Sequence, residues 1–263
     1  VVPLAGDEIE RVVKAIRERR PESIAVALLF AHLHAGHERA LAEALRRAFP
    51  GVPVVCSHDV LPVFREYERF STTTAEAYLR PLVSGHLGAA AEQARARGIA
   101  EFRVLTSGGG SLSVEAAGRS AAALALSGPA GGVVGARIVG EAVGYRDLLT
   151  LDMGGTSADA SLVQQGEARR EGATIVGGIP LALPAVLIET VSAGGGSVAW
   201  VDAAGTLKVG PRSARARPGP ACFGRGGTEP TVTDACLALG WLDQAWALAD
   251  DVRAYLEHRV VAA

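Results

Sequence analysis

The stretch Leu149-Thr150-Leu151-Asp152-Met153-Gly154-Gly155-Thr156-Ser157-Ala158-Asp159-Ala160-Ser161-Leu162-Val163 decides how this chain is read. The apolar run from Leu148 to Leu151 predicts a buried strand that delivers an aspartate to its end, and Ala160 to Val163 predicts a returning strand. Gly-Gly-Thr-Ser lies between them, so the stretch is a β-hairpin with polar chemistry at its tip. Gly154 and Gly155 lack a Cβ, which lets the backbone turn with positive φ and bring its N–H groups close to an anion. Thr156 and Ser157 add hydroxyl donors. Asp152 and Asp159 would repel a bare phosphate, but they suit a site where a divalent cation lies between carboxylate and phosphate. The functional reading is a metal–nucleotide phosphate site; the plain one is a tight Gly-Gly turn with a capping aspartate.

Working outward, 263 residues are enough for one large or two modest cores, and the 49% apolar content predicts a soluble globular protein. A formal net charge of -2 gives no electrostatic case for nucleic acid or for an anionic membrane surface. Arg212, Arg215, Arg217 and Arg225 form a local basic cluster that could face phosphate, although a solvated arginine-rich loop explains it as well. Cys56, Cys222 and Cys236 are too few and too scattered for a disulfide framework or a zinc pattern, which suits a reducing cytoplasm. The sequence shows no signal-peptide pattern, and no apolar run reaches the roughly 18 residues of a membrane span.

Toward the N-terminus, Asp7–Arg20 predicts a helix with Ile9, Val12, Val13 and Ile16 on one stripe, stopped by Pro21. Ile24–Phe30 predicts a strand covered on both faces, His37–Phe49 a helix and Val52–Cys56 a strand, which is α/β alternation. His32, His34 and His37 lack the spacing and a fourth ligand for a metal site, and a polar loop with His37 near a helix N-terminus is expected instead. Arg65, Glu66, Glu68 and Arg69 are expected to form a surface ion-pair lattice. Ser71–Thr74 is expected to cap a helix over Ala75–Ala94, interrupted near Pro81.

Phe102–Thr106 predicts a strand leading into the loop Ser107–Ser111, then a short helical segment from Val114 to Ala117. A second glycine turn, Ser127–Gly132, precedes a predicted helix over Val133–Val143. Beyond the hairpin, Ile175–Pro184 is expected to be a loop and Ala185–Thr190 a strand. Gly194–Gly196 is a glycine turn, and Val198–Val201 a strand ending in a turn at Asp202–Gly205. Arg217–Gly227 is a long Pro/Gly loop, followed by a helix from Asp234 to Leu239 capped by Thr233. Gln244–Ala263 is helical in composition. Cys222 and Cys236 are read as packing residues.

The run Asp152–Asp159 resembles the second phosphate-binding hairpin of the actin, sugar kinase and Hsp70 superfamily. Its flanks resemble the hydantoinase A / 5-oxoprolinase family, which includes the nucleotide-binding subunits of acetone and acetophenone carboxylases. Four further runs carry the resemblance: Leu61–Thr73, Ser127–Ala136, Ser192–Asp202 and Arg217–Asp234. Together they reach from about Asp59 to Leu242.

The resemblance implies an α/β, actin-like (ribonuclease H-like) ATPase lobe, a mixed sheet flanked by helices, with a partial second lobe. Residues 1–74 would be the later part of the first lobe, 75–243 the second lobe with the phosphate hairpin, and 244–263 a C-terminal helical tail. The implied activity is ATP-dependent opening of a cyclic amide such as hydantoin or 5-oxoproline. In that scheme Asp152 holds Mg²⁺, Gly154, Gly155, Thr156 and Ser157 cradle phosphate, and Asp159 orients Thr156 or the metal's water. Gly194, Gly195 and Gly196 are the expected adenosine contacts. The family's first hairpin, of Asp-Val-Gly-Gly-Thr type, is not in this sequence. The expectation is therefore a fragment of a longer protein, inactive alone, oligomeric at full length and paired with a hydantoinase B-like subunit or domain. A carboxylase-type subunit and a non-catalytic remnant are the alternatives.

Overall fold

The structure, a computed structural model, describes residues 3–243. The helical tail expected over 244–263 lies outside the described residues. In chain order the helices are α1 (Gly6–Arg17), α2 (Gly36–Ala48), α3 (Ser57–Val60), α4 (Glu66–Ala96), α5 (Val114–Gly118), α6 (Ser127–Ala142) and α7 (Val232–Ala238). The strands are β1 (Ile24–Val26), β2 (Val54–Cys56), β3 (Arg103–Leu105), β4 (Ser111–Ser113), β5 (Leu148–Met153), β6 (Ala158–Gln164) and β7 (Glu167–Ala168). They continue with β8 (Arg170–Glu171), β9 (Thr174–Val176), β10 (Ile179–Leu181), β11 (Ala185–Val186), β12 (Glu189–Val191), β13 (Ser197–Val201) and β14 (Leu207–Ser213). The mixed α/β class is the expected one. The chain divides into two compact units: residues 1–144 with Glu167–Leu187, and Tyr145–Gly166 with the chain from Ile188 onward.

In the first unit β1 and β2 pair in parallel, with α2 and α4 packed against them and α1 against α2. Ile24, Val26, Ala42, Leu45, Val54 and Cys56 form the core, flanked by Val13, Ile16 and Phe49. The apolar run Ile24–Phe30 is not one covered strand: β1 stops at Val26, and Leu29 and Phe30 are exposed. The cause is a buried polar network. The Leu28 N–H donates to Glu38 Oε1 at 2.8 Å and the Leu28 carbonyl accepts from Arg69 Nη2 at 2.9 Å. Both backbone groups that would extend a ladder are thereby taken by side chains. Phe30, at φ 57°, has also left the β region.

Arg69 corrects a second expectation. It is fully buried, 3.8 Å from the Glu66 carboxylate, so of the expected surface lattice only the Arg65–Glu68 pair, at 3.3 Å, lies in solvent. Besides Leu28, Arg69 donates to the Val63 carbonyl (2.9 Å) and to Ser57 Oγ (3.2 Å), and it lies 3.0 Å from His32 Nδ1. Ser57 Oγ donates to Glu38 Oε1 at 2.6 Å, so one hydroxyl links the buried cation to the buried carboxylate. Helix α4 begins at Glu66, not at Ala75, and runs unbroken through residue 74 and past Pro81. The hydroxyls of Thr72, Thr73 and Thr74 bond back to the carbonyls of Glu68, Arg69 and Phe70 at 2.6, 2.6 and 2.8 Å. Four-residue back-bonding satisfies them inside a helix, where they would otherwise read as caps.

Three more glycine or proline segments are more ordered than their composition suggests. Ser107–Gly110 is the turn of the β3–β4 hairpin. Ser127–Gly132 is the start of α6 itself, and a Cβ on Gly131 would lie 2.9 Å from Leu105 Cδ1, so its glycine serves close packing. Ile175–Pro184 contains the β9–β10 hairpin, turned at Gly177 and Gly178 with φ 58° and 82°. The strand expected over Ala185–Thr190 is broken into β11 and β12, which join different sheets.

In the second unit β5, β6 and β12 form an antiparallel sheet, and β13 and β14 a hairpin turned at Asp202. Asp202 Oδ1 accepts from the N–H groups of Ala204 and Thr206. Helix α7 starts two residues earlier than its sequence cap implies: Thr231, not Thr233, is the cap, with Asp234 at the reciprocal position. Asp234 also accepts from the N–H groups of Cys222 (2.7 Å) and Ala221 (3.3 Å), which anchors the Pro/Gly loop.

Candidate active site

The two strands of the hairpin form as the sequence predicts, but neither Gly154 nor Gly155 takes the positive φ expected of it. Strands β5 and β6 pair from Leu148↔Val163 to Met153↔Ala158, with Asp152 directly opposite Asp159. One face of the pair carries Thr150, Asp152, Asp159, Ser161 and Val163. Leu149, Leu151 and Met153 lie on the other face, together with Leu162. The expected burial of the first strand is corrected here: Leu149 is 79% and Leu151 71% exposed. Alternation leaves the leucine face uncovered by the described residues, while Ser161 and Val163 opposite are buried.

Two carboxylates facing each other across an antiparallel pair destabilise it. Asp159 is partly accommodated, because its Oδ1 accepts from Thr190 Oγ1 at 2.6 Å on the next strand. Its hydroxyl partner is Thr190 and not Thr156. Asp152 is exposed and has no hydrogen-bond or ion partner among the described residues. A charged pair of hard oxygen ligands, one held and one free, fits a hydrated divalent cation such as Mg²⁺, which takes one or two carboxylates and keeps water or phosphate as its other ligands.

The turn offers the complementary chemistry. The Gly154 N–H closes it on the Ser157 carbonyl at 2.9 Å. The N–H groups of Gly155, Thr156 and Ser157 have no acceptor among the described residues. The carbonyls are occupied: Gly154 O accepts from the Gly195 N–H (2.8 Å), and Gly155 O from the Gly196 N–H (2.7 Å) and Ser213 Oγ (3.2 Å). A turn held through its carbonyls thus presents three unpaired amides, donors of the kind an anion takes.

Gly194–Gly196 therefore backs this turn. A Cβ on Gly194 would lie 2.6 Å from Gly154 O, Thr156 N and Ser157 N, and one on Gly196 2.8 Å from Gly155 O. The Gly195 carbonyl in turn accepts from the Thr233 N–H and Oγ1, both at 2.8 Å. The structure thus brings together Asp152, Asp159, Gly154–Ser157 and Gly194–Gly196 from two distant stretches. Sequence reasoning passed over Ser213, whose hydroxyl ties the end of β14 to the tip. Its neighbours Arg212 and Arg215 line a cavity of about 320 Å³ with Thr156, Val198, Pro211 and Glu229.

His32 and His34 lie in the loop before α2 and His37 in its first turn; His32 meets Arg69 and packs its ring edge against Phe64. Among the described residues, one group of three metal-capable side chains gathers, Glu38, Cys56 and His58, all in the first unit. Burial pushes the Glu38 carboxyl up. Hydrogen bonds from Ser57, from the His58 ring and N–H, and from the Leu28 N–H outweigh that and hold it below the usual carboxylate value. The Cys56 thiol is pushed up to about 11, first by burial and then by Glu38, so it remains protonated. A satisfied carboxylate beside a neutral thiol is a structural knot, and it ties α2, α3 and α4 together through Ser57 and Arg69.

Comparison with known proteins converges on one family. Its profile, hydantoinase/oxoprolinase, matches residues 69–261. Caprolactamase subunit alpha of Pseudomonas jessenii is 37% identical over 255 residues, 95% of this chain and 36% of that protein. The 5-oxoprolinase of Saccharomyces cerevisiae is 33% identical over 237 residues, 89% of this chain and 18% of that protein. Among solved structures, a nucleotide-free acetone carboxylase, described as ATP-dependent, superposes with a TM-score of 0.74 at 31% identity. It covers 92% of this chain and 35% of that one. The chain thus spans little more than a third of the caprolactamase subunit and the carboxylase chain, and less of the oxoprolinase. With that profile matching most of the sequence and relatives more than 30% identical over most of its length, this chain belongs to the hydantoinase/oxoprolinase family.

Proposed function

We propose that this chain carries half of the nucleotide clamp of an ATP-dependent enzyme that opens a cyclic amide of the hydantoin or 5-oxoproline type. The observation that carries the proposal is the tip of the hairpin: an unpaired carboxylate facing a second one, beside three unpaired backbone amides. Asp152 holds Mg²⁺ directly or through water, and Asp159, fixed by Thr190, orients the metal's water shell. The amides of Gly155, Thr156 and Ser157 and the two hydroxyls hold phosphate, with Gly194–Gly196 keeping the turn in shape and lying on the adenosine side. ATP transfers its γ-phosphoryl group to the amide oxygen, which opens the carbon to water; the adduct expels the ring nitrogen as an amine, breaking the C–N bond, and a second water hydrolyses the resulting acyl phosphate to carboxylate and phosphate. The protein's part is to position the phosphates and balance their charge.

A clamp built on one hairpin binds nucleotide weakly, so we assign turnover to the whole protein, oligomeric and acting with a hydantoinase B-like subunit or domain in the cytoplasm. The resemblance to acetone carboxylase favours a second reading, in which the same hairpin serves phosphorylation of a ketone enol or bicarbonate. Product analysis separates the two. ADP, phosphate and an opened ring from hydantoin or 5-oxoproline support the first, and a carboxylated ketone supports the second. Absence of ATP turnover with either substrate class in the whole protein would overturn both.

A further inference from the structure

We propose that Arg215 is a second, charge-based anchor for the polyphosphate held at the Gly154–Ser157 turn, an assignment that rests on the nucleotide-phosphate reading of the hairpin. The four arginines that cluster in the sequence have separate fates in the fold, and Arg217, although exposed, does not line the cavity beside the tip. Arg212 is bound by Glu229 at 2.7 and 3.4 Å, and the Arg225 guanidinium lies over the Phe223 ring, 5.9 Å from its centroid. Arg215 is exposed and has no carboxylate or carbonyl partner among the described residues. It lines the cavity that also takes in Thr156, the central residue of the donor turn. Its backbone is placed by the same hydroxyl that touches the tip: the Arg215 N–H donates to Ser213 Oγ at 3.1 Å, and Ser213 Oγ donates to the Gly155 carbonyl at 3.2 Å.

The backbone conformation points the same way. Arg215 sits at φ 54°, in the left-handed region that glycine occupies without cost and an L-residue with a Cβ does not. A long cationic side chain carried at such a position, unpaired and beside an anion cradle, is strain located at a site. The charge count supplies the reason. Two carboxylates already stand at the tip, and one divalent cation leaves most of a triphosphate's charge unbalanced. A guanidinium on the Thr156 side supplies a planar fork of donors matched to phosphate oxygens. The ligand class is therefore an inorganic or nucleoside polyphosphate.

The test is a ¹H–¹⁵N NMR titration of the full chain with magnesium tripolyphosphate into the tens of millimolar. The wild type is compared with Arg215→Gly, which suits φ 54°, Arg215→Lys and Arg212→Ala. The wild type is expected to show shifts at the amides of Gly155, Thr156 and Ser157. Arg215→Gly should raise the dissociation constant about tenfold, as loss of one charge-assisted hydrogen bond implies. Arg215→Lys should fall between, and Arg212→Ala should change it less than Arg215→Gly. Unchanged affinity in Arg215→Gly, with the wild-type shifts present, would overturn the anchor and leave the hairpin reading intact. An equal loss in Arg212→Ala would reveal a diffuse basic field and also overturn it. Absence of shifts at the three amides in the wild type would remove the hairpin reading and the anchor together.

Discussion

Replacing Asp152 with asparagine separates a residue that serves chemistry from one that serves the fold. In the structure the carboxylate makes no hydrogen bond or ion pair with the described residues and faces Asp159 across the ladder. Neutralising it removes a like-charge pair whose cost is about 0.2–1 kcal/mol. The Asp152→Asn protein should therefore melt at the wild-type temperature or up to about 2–4 °C above it, the shift that about 1 kcal/mol produces in a chain of this size. Magnesium ATP should behave oppositely. At a hundredfold excess over its dissociation constant it would stabilise the wild-type whole protein by about 2.7 kcal/mol, and this gain should vanish in the variant. Phosphoryl transfer should fall by about 10²-fold or more, because the charge on the transferring group is then unbalanced. Differential scanning fluorimetry with and without magnesium ATP, paired with an ADP-release assay, reads all three. A variant with wild-type turnover, or one destabilised by about 2 kcal/mol without ligand, would refute the assignment.

Other outcomes follow from particular contacts. Gly194→Ala should disorder the hairpin tip, since its Cβ would meet three backbone atoms at 2.6 Å that cannot move aside; loss of the Gly155–Ser157 amide positions in NMR spectra checks it. Arg69→Ala leaves Ser57, His32 and two carbonyls without their buried partner, and urea unfolding should show a loss of about 3–5 kcal/mol. Glu38, held below the usual value, contributes stability that is present above about pH 4.5 and lost as pH falls through its lowered folded value. Glu38→Gln should accordingly be weaker at pH 7 and show a flatter acid limb in pH-dependent unfolding. Cys56 and Cys222 are buried, with thiols raised to about 11 and about 12. A thiol reagent at pH 8 should therefore label the half-buried Cys236 first, and faster labelling of either buried thiol would contradict the packing.

What the sequence by itself determined is local. Two strands around Gly-Gly-Thr-Ser, the helices α1 and α2, the turn at Asp202 and the acidic pair at the tip all follow from period, glycine placement and neighbours within a few residues. Tertiary structure decided whatever depended on a distant partner. Ile24–Phe30 looked like one strand because composition does not show that Glu38 and Arg69, 10 and 41 positions from Leu28, claim its backbone. Ser71–Thr74 looked like a cap because hydroxyls bond back inside a helix as readily as they start one. Only the fold set Gly194–Gly196 against Gly154 and Gly155, and among four similar arginines paired Arg212 with Glu229, stacked Arg225 on Phe223 and put Arg215 at the cavity beside Thr156. Hydrogen-bonding groups satisfy themselves with whatever the fold brings within 3 Å, and that distance is not written in sequence separation.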